Sequence, residues 1–140
     1  MTLWKTQTTV EQLKEMSKNT LIEHLGIEFL EIGDDHLKAK MPVDSRTKQP
    51  AGLLHGGASV ALAETLGSMA AALCVDREKK GVVGVEINAN HIRPVYDGWV
   101  TGVTKPVHIG STTQIWEINI YNEEEKLVCV SRLTVAIINI

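Results

Sequence analysis

The chain predicts an α+β fold: a six-stranded, curved antiparallel sheet wrapped around one long central helix, with a short helix ahead of it. Three observations predict it. Six runs have strand character, and the last four follow one another after residue 81 with short polar separators. The run Gly56 to Val75 is small and apolar on nearly every side, which suits a buried helix. A helix of that kind needs cover all round, and a strongly bent sheet is the simplest element that supplies it.

The elements follow in order. Thr8-x-x-Glu11 reads as a capping box that opens a helix through about Ser17, with Val10, Leu13 and Met16 at helical spacing. Thr20-x-x-Glu23 repeats the signal for a short turn, and Gly26 stops it. Ile27–Ile32 reads as a strand, Gly33-Asp34-Asp35 as a turn, and His36–Val43 as the returning strand. In that strand Leu37, Ala39 and Met41 alternate with His36, Lys38 and Lys40. Asp44 to Leu54 is a loop broken by Pro50 and Gly52. The central helix follows, then a solvated connection, Asp76 to Gly81. Strands are predicted over Val82–Ile92, Gly98–His108, Thr112–Tyr121 and Lys126–Ile138. Parity in the first of these sets Val83, Val85, Ile87 and Ala89 on one face and Glu86, Asn88 and Asn90 on the other.

Size and composition narrow the function. At 140 residues the chain suits one domain, residues 1–140, with a single buried core. A net charge of −3 argues against a nucleic-acid or anionic-membrane surface, and 4% aromatics leaves little for base stacking. Cys74 and Cys129 sit in apolar segments without metal-like spacing and read as reduced core thiols of a cytoplasmic protein. The N-terminal stretch lacks the basic flank and apolar block of a leader. The long apolar run is a poor membrane span because of its glycines, serines and Glu64. His55, His91, His108 and Glu64 show no helix-borne zinc spacing, so no metal is expected.

Glu64 is the only charged side chain between Gly56 and Val75. Burying a lone charge costs several kcal/mol, so this carboxylate must be expelled, neutralised or used. Ahead of it, His55-Gly56-Gly57 opens the helix and offers backbone N–H groups at the positive end of the dipole. Singly, each residue has an ordinary reading: His55 as a helix cap, the glycines as tight packing, Gln49 as loop, Ser68 as a small contact residue. Together they suggest an enzyme.

The string Gln49-x5-His55-Gly56-Gly57-x6-Glu64-x3-Ser68 resembles the hotdog-fold acyl-CoA thioesterases. The segments MPVDSRTKQPAGLLHGGASVALAE and VVGVEINANHIRP are similar to the bacterial branch acting on aromatic acyl thioesters, the hydroxybenzoyl-CoA and 1,4-dihydroxy-2-naphthoyl-CoA thioesterases. The resemblance implies dimers, commonly tetramers, with active sites at subunit contacts. It also implies a thioester of coenzyme A or an acyl carrier protein as substrate, and no cofactor beyond the coenzyme A of that substrate.

Gly56 and Glu64 are eight residues apart, about 12 Å along a helix axis. One thioester carbonyl cannot be gripped at Gly56 and attacked by Glu64 of the same chain. Either the two are unrelated or Glu64 comes from a second subunit, and the resemblance favours the second. On that basis the Gly56 N–H holds the thioester oxygen. His55 places the thioester or protonates the departing thiolate, and Gln49 donates near the carbonyl or to water. Glu64 is the nucleophile or the general base, and Ser68 orients water or the acyl ring. Gly84, His91, Arg93 and the turn His108-Ile109-Gly110-Ser111 stand where related enzymes contact coenzyme A, and Lys105 is a further candidate cation for its phosphates. Leu53, Leu54, Met69 and Ala72 are candidates for the acyl pocket. A hydratase or dehydratase on the same fold would need a different histidine pattern, and a non-catalytic acyl-CoA sensor would have no need of Glu64.

Overall fold

Side-chain caps start the first elements of the computed structural model, which describes residues 3–140. Residues 1 and 2, where the stretch read as lacking a leader begins, lie outside the described residues. Helix α1 (Val10–Met16) is capped by Thr9, not Thr8. Thr9 Oγ1 accepts the Gln12 N–H, and the Gln12 side-chain oxygen accepts both the Thr9 N–H and the Thr8 hydroxyl. The box is therefore Thr9 with Gln12, and Thr8 is a second donor to it. Leu13 is fully buried, whereas Met16 at the helix end is exposed. Helix α2 (Leu21–His24) has Thr20 as its cap and ends as Gly26 turns left-handed at φ +73°.

Strands β1 (Glu28–Ile32) and β2 (Leu37–Pro42) form the predicted hairpin, with a bulge between Phe29 and Glu31. Leu37, Ala39 and Met41 all point into the core. The central helix α3 spans Gly56–Leu73. Strands β3 (Lys80–His91), β4 (Trp99–Ile109), β5 (Thr113–Tyr121) and β6 (Leu127–Asn139) complete the sheet. Its order is β1-β2-β4-β5-β6-β3, antiparallel throughout. Helix α3 packs against β2 to β6. No helix among the described residues is long and apolar enough to cross a membrane.

One parity expectation fails. A bulge between Gly84 and Glu86 in β3 flips the alternation, so Val83 and Val85 face outward and are exposed. Val82, Ile87 and Ala89 pack on the core instead. An extra residue in one strand reverses every side chain beyond it, which a simple two-residue period cannot register.

Leu62, Leu66, Ile118, Ile120, Leu133 and Trp116 are fully buried between helix and sheet. Trp116 stacks on Trp4 with centroids 6.3 Å apart, and its indole N–H donates to Gln114. Trp4 belongs to an N-terminal strap whose Lys5 and Thr6 N–H groups donate to the Leu73 carbonyl, closing the end of α3. Trp116→Ala is expected to cost about 3–5 kcal/mol of unfolding free energy in urea titration. A loss under about 1 kcal/mol would contradict its place at the centre of the core.

Candidate active site

Local hydrogen bonds build the start of α3. The Gln49 N–H donates to the Leu53 carbonyl and the Gly52 N–H to the Gln49 carbonyl, so residues 49–53 form a tight turn. Gly52 takes φ +90° there. The Leu54 N–H donates to the Val95 carbonyl and the His55 N–H to the Thr47 carbonyl. Thr47 is itself buried, its hydroxyl donating to the Pro42 carbonyl at 2.7 Å. The Arg46 guanidinium chelates Asp44 at the outer side of this loop and holds its carboxyl below the usual carboxylate range. These bonds fix Gln49 and the helix start on one frame.

The Gln49 side-chain oxygen accepts the Ala51 N–H. Its amide nitrogen is left to donate outward. His55 is the N-cap, and its Nδ1 accepts the Gly57 N–H at 2.8 Å. An accepting Nδ1 carries no proton, so the ring's N–H is at Nε2, on an exposed side chain. The capping reading of His55 is therefore real, and it leaves Nε2 able to donate. The Ala58 and Ser59 N–H groups bond the His55 carbonyl, whereas the Gly56 N–H meets no acceptor among the described residues.

Gln49, Leu54, Gly56, Ser59, His91 and Arg93 border one cavity of about 320 Å3. A Cβ at position 56 would lie 2.8 Å from His91 Nε2, so glycine is what lets the ring sit over the helix start. Arg93 is fastened by its Nη1–H to the Leu127 carbonyl at 2.7 Å.

Glu64 is not in that cavity. It is half-buried, eight residues along α3, and makes no ion pair or hydrogen bond among the described residues. Its Oε1 rests against Gly84 of β3, where a Cβ would come within 2.9 Å. Ser68 is half-buried one turn farther on. The unpaired carboxylate and the unpaired N–H thus lie at two stations along one strand, Gly84 and His91.

The remaining coenzyme A candidates scatter within one chain. Lys105 and His108 are exposed on β4, which β5 and β6 separate from β3. Gly110 and Ser111 border a separate cavity of about 570 Å3 with Cys74, Lys5, Lys79 and Lys80, at the far end of α3. That end is about 27 Å from Gly56 at helical rise. The three lysines there were invisible as a group in the sequence, since they come from the terminus and the connection after α3. Met69 and Ala72 are half-buried on α3 and border neither cavity, whereas Leu53 and Leu54 line the first. Cys74 and Cys129 are free and buried, and burial pushes the Cys74 thiol up to about 11. Among the described residues no three metal-ligating side chains converge.

Residues 51–129 match the family described as the thioesterase superfamily. The chain belongs to the thioesterase superfamily. That segment holds the helix start, Glu64 and most of the sheet. Among relatives of this thioesterase is the 1,4-dihydroxy-2-naphthoyl-CoA hydrolase of Escherichia coli, 56% identical over 97% of this chain and 99% of that protein. The proofreading thioesterase EntH of Cronobacter turicensis is 56% identical over 96% of this chain and 98% of its own. The crystal structure of thioesterase HI1161 from Haemophilus influenzae superposes with a TM-score of 0.95 at 54% identity, covering 98% of this chain and 95% of that one. The architecture is the hotdog fold that the resemblance implied, and the protein is a thioester hydrolase.

Proposed function

We propose that the enzyme hydrolyses acyl-CoA thioesters with aromatic acyl groups, at a site completed by a second copy of the chain. The observation that carries the proposal is the separation of an unpaired Gly56 N–H from an unpaired Glu64 carboxylate along the same helix. Strand β3 supplies the means of joining them. It ends the sheet, and its 12 residues expose one unpaired backbone edge. Antiparallel self-pairing of that edge about Ile87 and Asn88 sets Gly84 of each copy across from His91 of the other. Glu64 of one copy then approaches Gly56 of the other, which is a two-fold, isologous contact.

In such a site the Gly56 N–H and the Gln49 amide hold the thioester oxygen as charge develops on it. One such donor is typically worth ~2.7–4 kcal/mol in the transition state. Glu64 acts in one of two ways. As nucleophile its carboxylate adds to the carbonyl carbon, the C–S bond breaks, and water cleaves the resulting anhydride. As base it takes a proton from water, whose oxygen adds to the carbon before the thiolate leaves. The His55 Nε2–H hydrogen-bonds the departing sulfur, and Ser68 orients water or the ring. His91 and Arg93 lie at the mouth for the coenzyme A arm, and Gly84 gives Glu64 room. Lys105, His108, Gly110 and Ser111 reach the nucleotide only from another copy, in a dimer or tetramer. No cofactor is needed beyond the substrate's own coenzyme A, and the reduced cysteines suit a cytoplasmic setting.

The aromatic preference draws on the relative named for 1,4-dihydroxy-2-naphthoyl-CoA and on the apolar side chains of Leu53, Leu54, Val95 and Val128 that line the cavity. A panel of aryl, short-chain and long-chain thioesters, on coenzyme A and on a carrier protein, tests it. Aryl-CoA substrates should give kcat/KM at least about tenfold above long-chain ones, a range open to apolar pockets. A long-chain or carrier-protein preference would refute the acyl or the carrier part respectively.

A further inference from the structure

We infer that Ser59 is a specificity-determining residue, its hydroxyl hydrogen-bonding a ring hydroxyl on the acyl group held beside Gly56. The inference rests on the aryl-thioester reading above and names the residue that reads the ring. Ser59 lies one turn beyond Gly56, about 4.5 Å along the helix axis. It is 2% exposed and borders the same cavity as Gln49, Gly56 and His91.

No hydrogen bond joins its hydroxyl to the described residues. Every fully occluded polar side-chain atom among them does have a partner, so the Ser59 hydroxyl opens onto the cavity. The other buried serines behave differently. Ser17 donates back to the Leu13 carbonyl at 2.7 Å, the usual recourse of a serine on a helix, and Ser131 donates to the Asn88 carbonyl at 2.8 Å. Ser59 does neither.

A hydroxyl that opens onto the cavity and has no protein partner is free to bond whatever enters the cavity. Around it the cavity presents Leu53, Leu54, Val95 and Val128, with the polar side chains of Gln49, His91 and Arg93 also on its border. The apolar side chains suit a flat ring, and the Ser59 hydroxyl adds a neutral hydrogen-bonding group beside it. A serine hydroxyl donates and accepts equally well, so it can meet a phenol in either sense.

The test compares benzoyl-CoA with its ortho-, meta- and para-hydroxy isomers on the full-length protein and its Ser59→Ala variant. At least one hydroxy isomer should exceed benzoyl-CoA in kcat/KM on the unaltered enzyme. Ser59→Ala should lower kcat/KM for that isomer about tenfold, as loss of one hydrogen bond implies, and leave benzoyl-CoA within about twofold. The loss should fall mainly on KM. An unchanged ratio overturns the role of Ser59. A fall shared by all four substrates also overturns it, because the hydroxyl would then serve the coenzyme A arm or the fold. Should Ser59→Ala not fold, Ser59→Cys keeps the volume with a far weaker donor and is read by the same ratio. An enzyme that cleaves none of the four defeats the aryl-thioester reading and this one together, whereas activity with an unchanged ratio defeats only this one.

Discussion

Glu64→Gln is expected to lower kcat by about a hundred- to ten-thousand-fold on the preferred thioester, the range that a positioned acid, base or nucleophile supplies. The substitution is close to isosteric. The side chain still fits over Gly84, and no ion pair or hydrogen bond among the described residues is broken. Thermal unfolding should therefore shift little, and KM should move less than kcat, since the carboxylate acts on the reacting carbon rather than on the bulk of the substrate. Stopped-flow or steady-state measurement of free thiol release reads both constants. Retention of more than about half of the unaltered kcat would remove Glu64 from the chemistry and leave it a half-exposed helix residue, because no general acid, base or nucleophile has so small an effect.

The weight on Glu64 comes from a contrast between charge and surroundings. The carboxylates whose pKa is lowered lean on hydrogen-bonding or cationic side chains at the surface. The His36 ring and Lys38 hold Glu31 down, His36 does so for Asp35, and Arg46 does so for Asp44. Such exposed pairs contribute little to stability. Glu64 has no such partner and sits on the element that the sheet surrounds. In the folded chain it is half-buried, its Oε1 against Gly84 on the edge strand β3.

Much of the architecture was readable in the residues because hydrophobic period and turn chemistry agreed with the tertiary outcome. Leu37, Ala39 and Met41 alternate in sequence and in space, and Gly26 stops α2 as a left-handed glycine should. The errors lie where one residue changes phase. Thr8 and Thr9 both satisfy a capping rule, and only the reach of the Gln12 side chain decides between them. The β3 bulge flips Val83 and Val85 outward, and no local signal beyond Gly84 marks it. The strap at Trp4 has no local signature, because its partners Gly33, Leu73 and Trp116 are remote in sequence.

The site divides in the same manner. Gln49, His55, Gly56 and Glu64 stood out through motif spacing, and the helix rise alone argued that Gly56 and Glu64 do not meet within one chain. The structure adds what spacing does not contain. Gly56 makes room for His91, Gly84 makes room for Glu64, and both partners lie on the free edge strand. In the sequence Ser59 is one more small residue of an apolar run. Its signal is a missing hydrogen bond, which exists only in three dimensions.

Subunit exchange between two disabled variants tests the shared site most directly. Gln49→Ala impairs the side that holds the carbonyl, and Glu64→Ala impairs the side that attacks. If each site draws one group from each copy, a mixed dimer contains one intact site and one doubly impaired site. Random mixing at equal amounts makes half the dimers mixed, so activity should return to about a quarter of the unaltered enzyme's from near zero. If both groups served from one chain, every site in the mixture would carry a lesion. Activity that stays at the level of the separate variants, with exchange verified by mass-tagged subunits, would contradict the account.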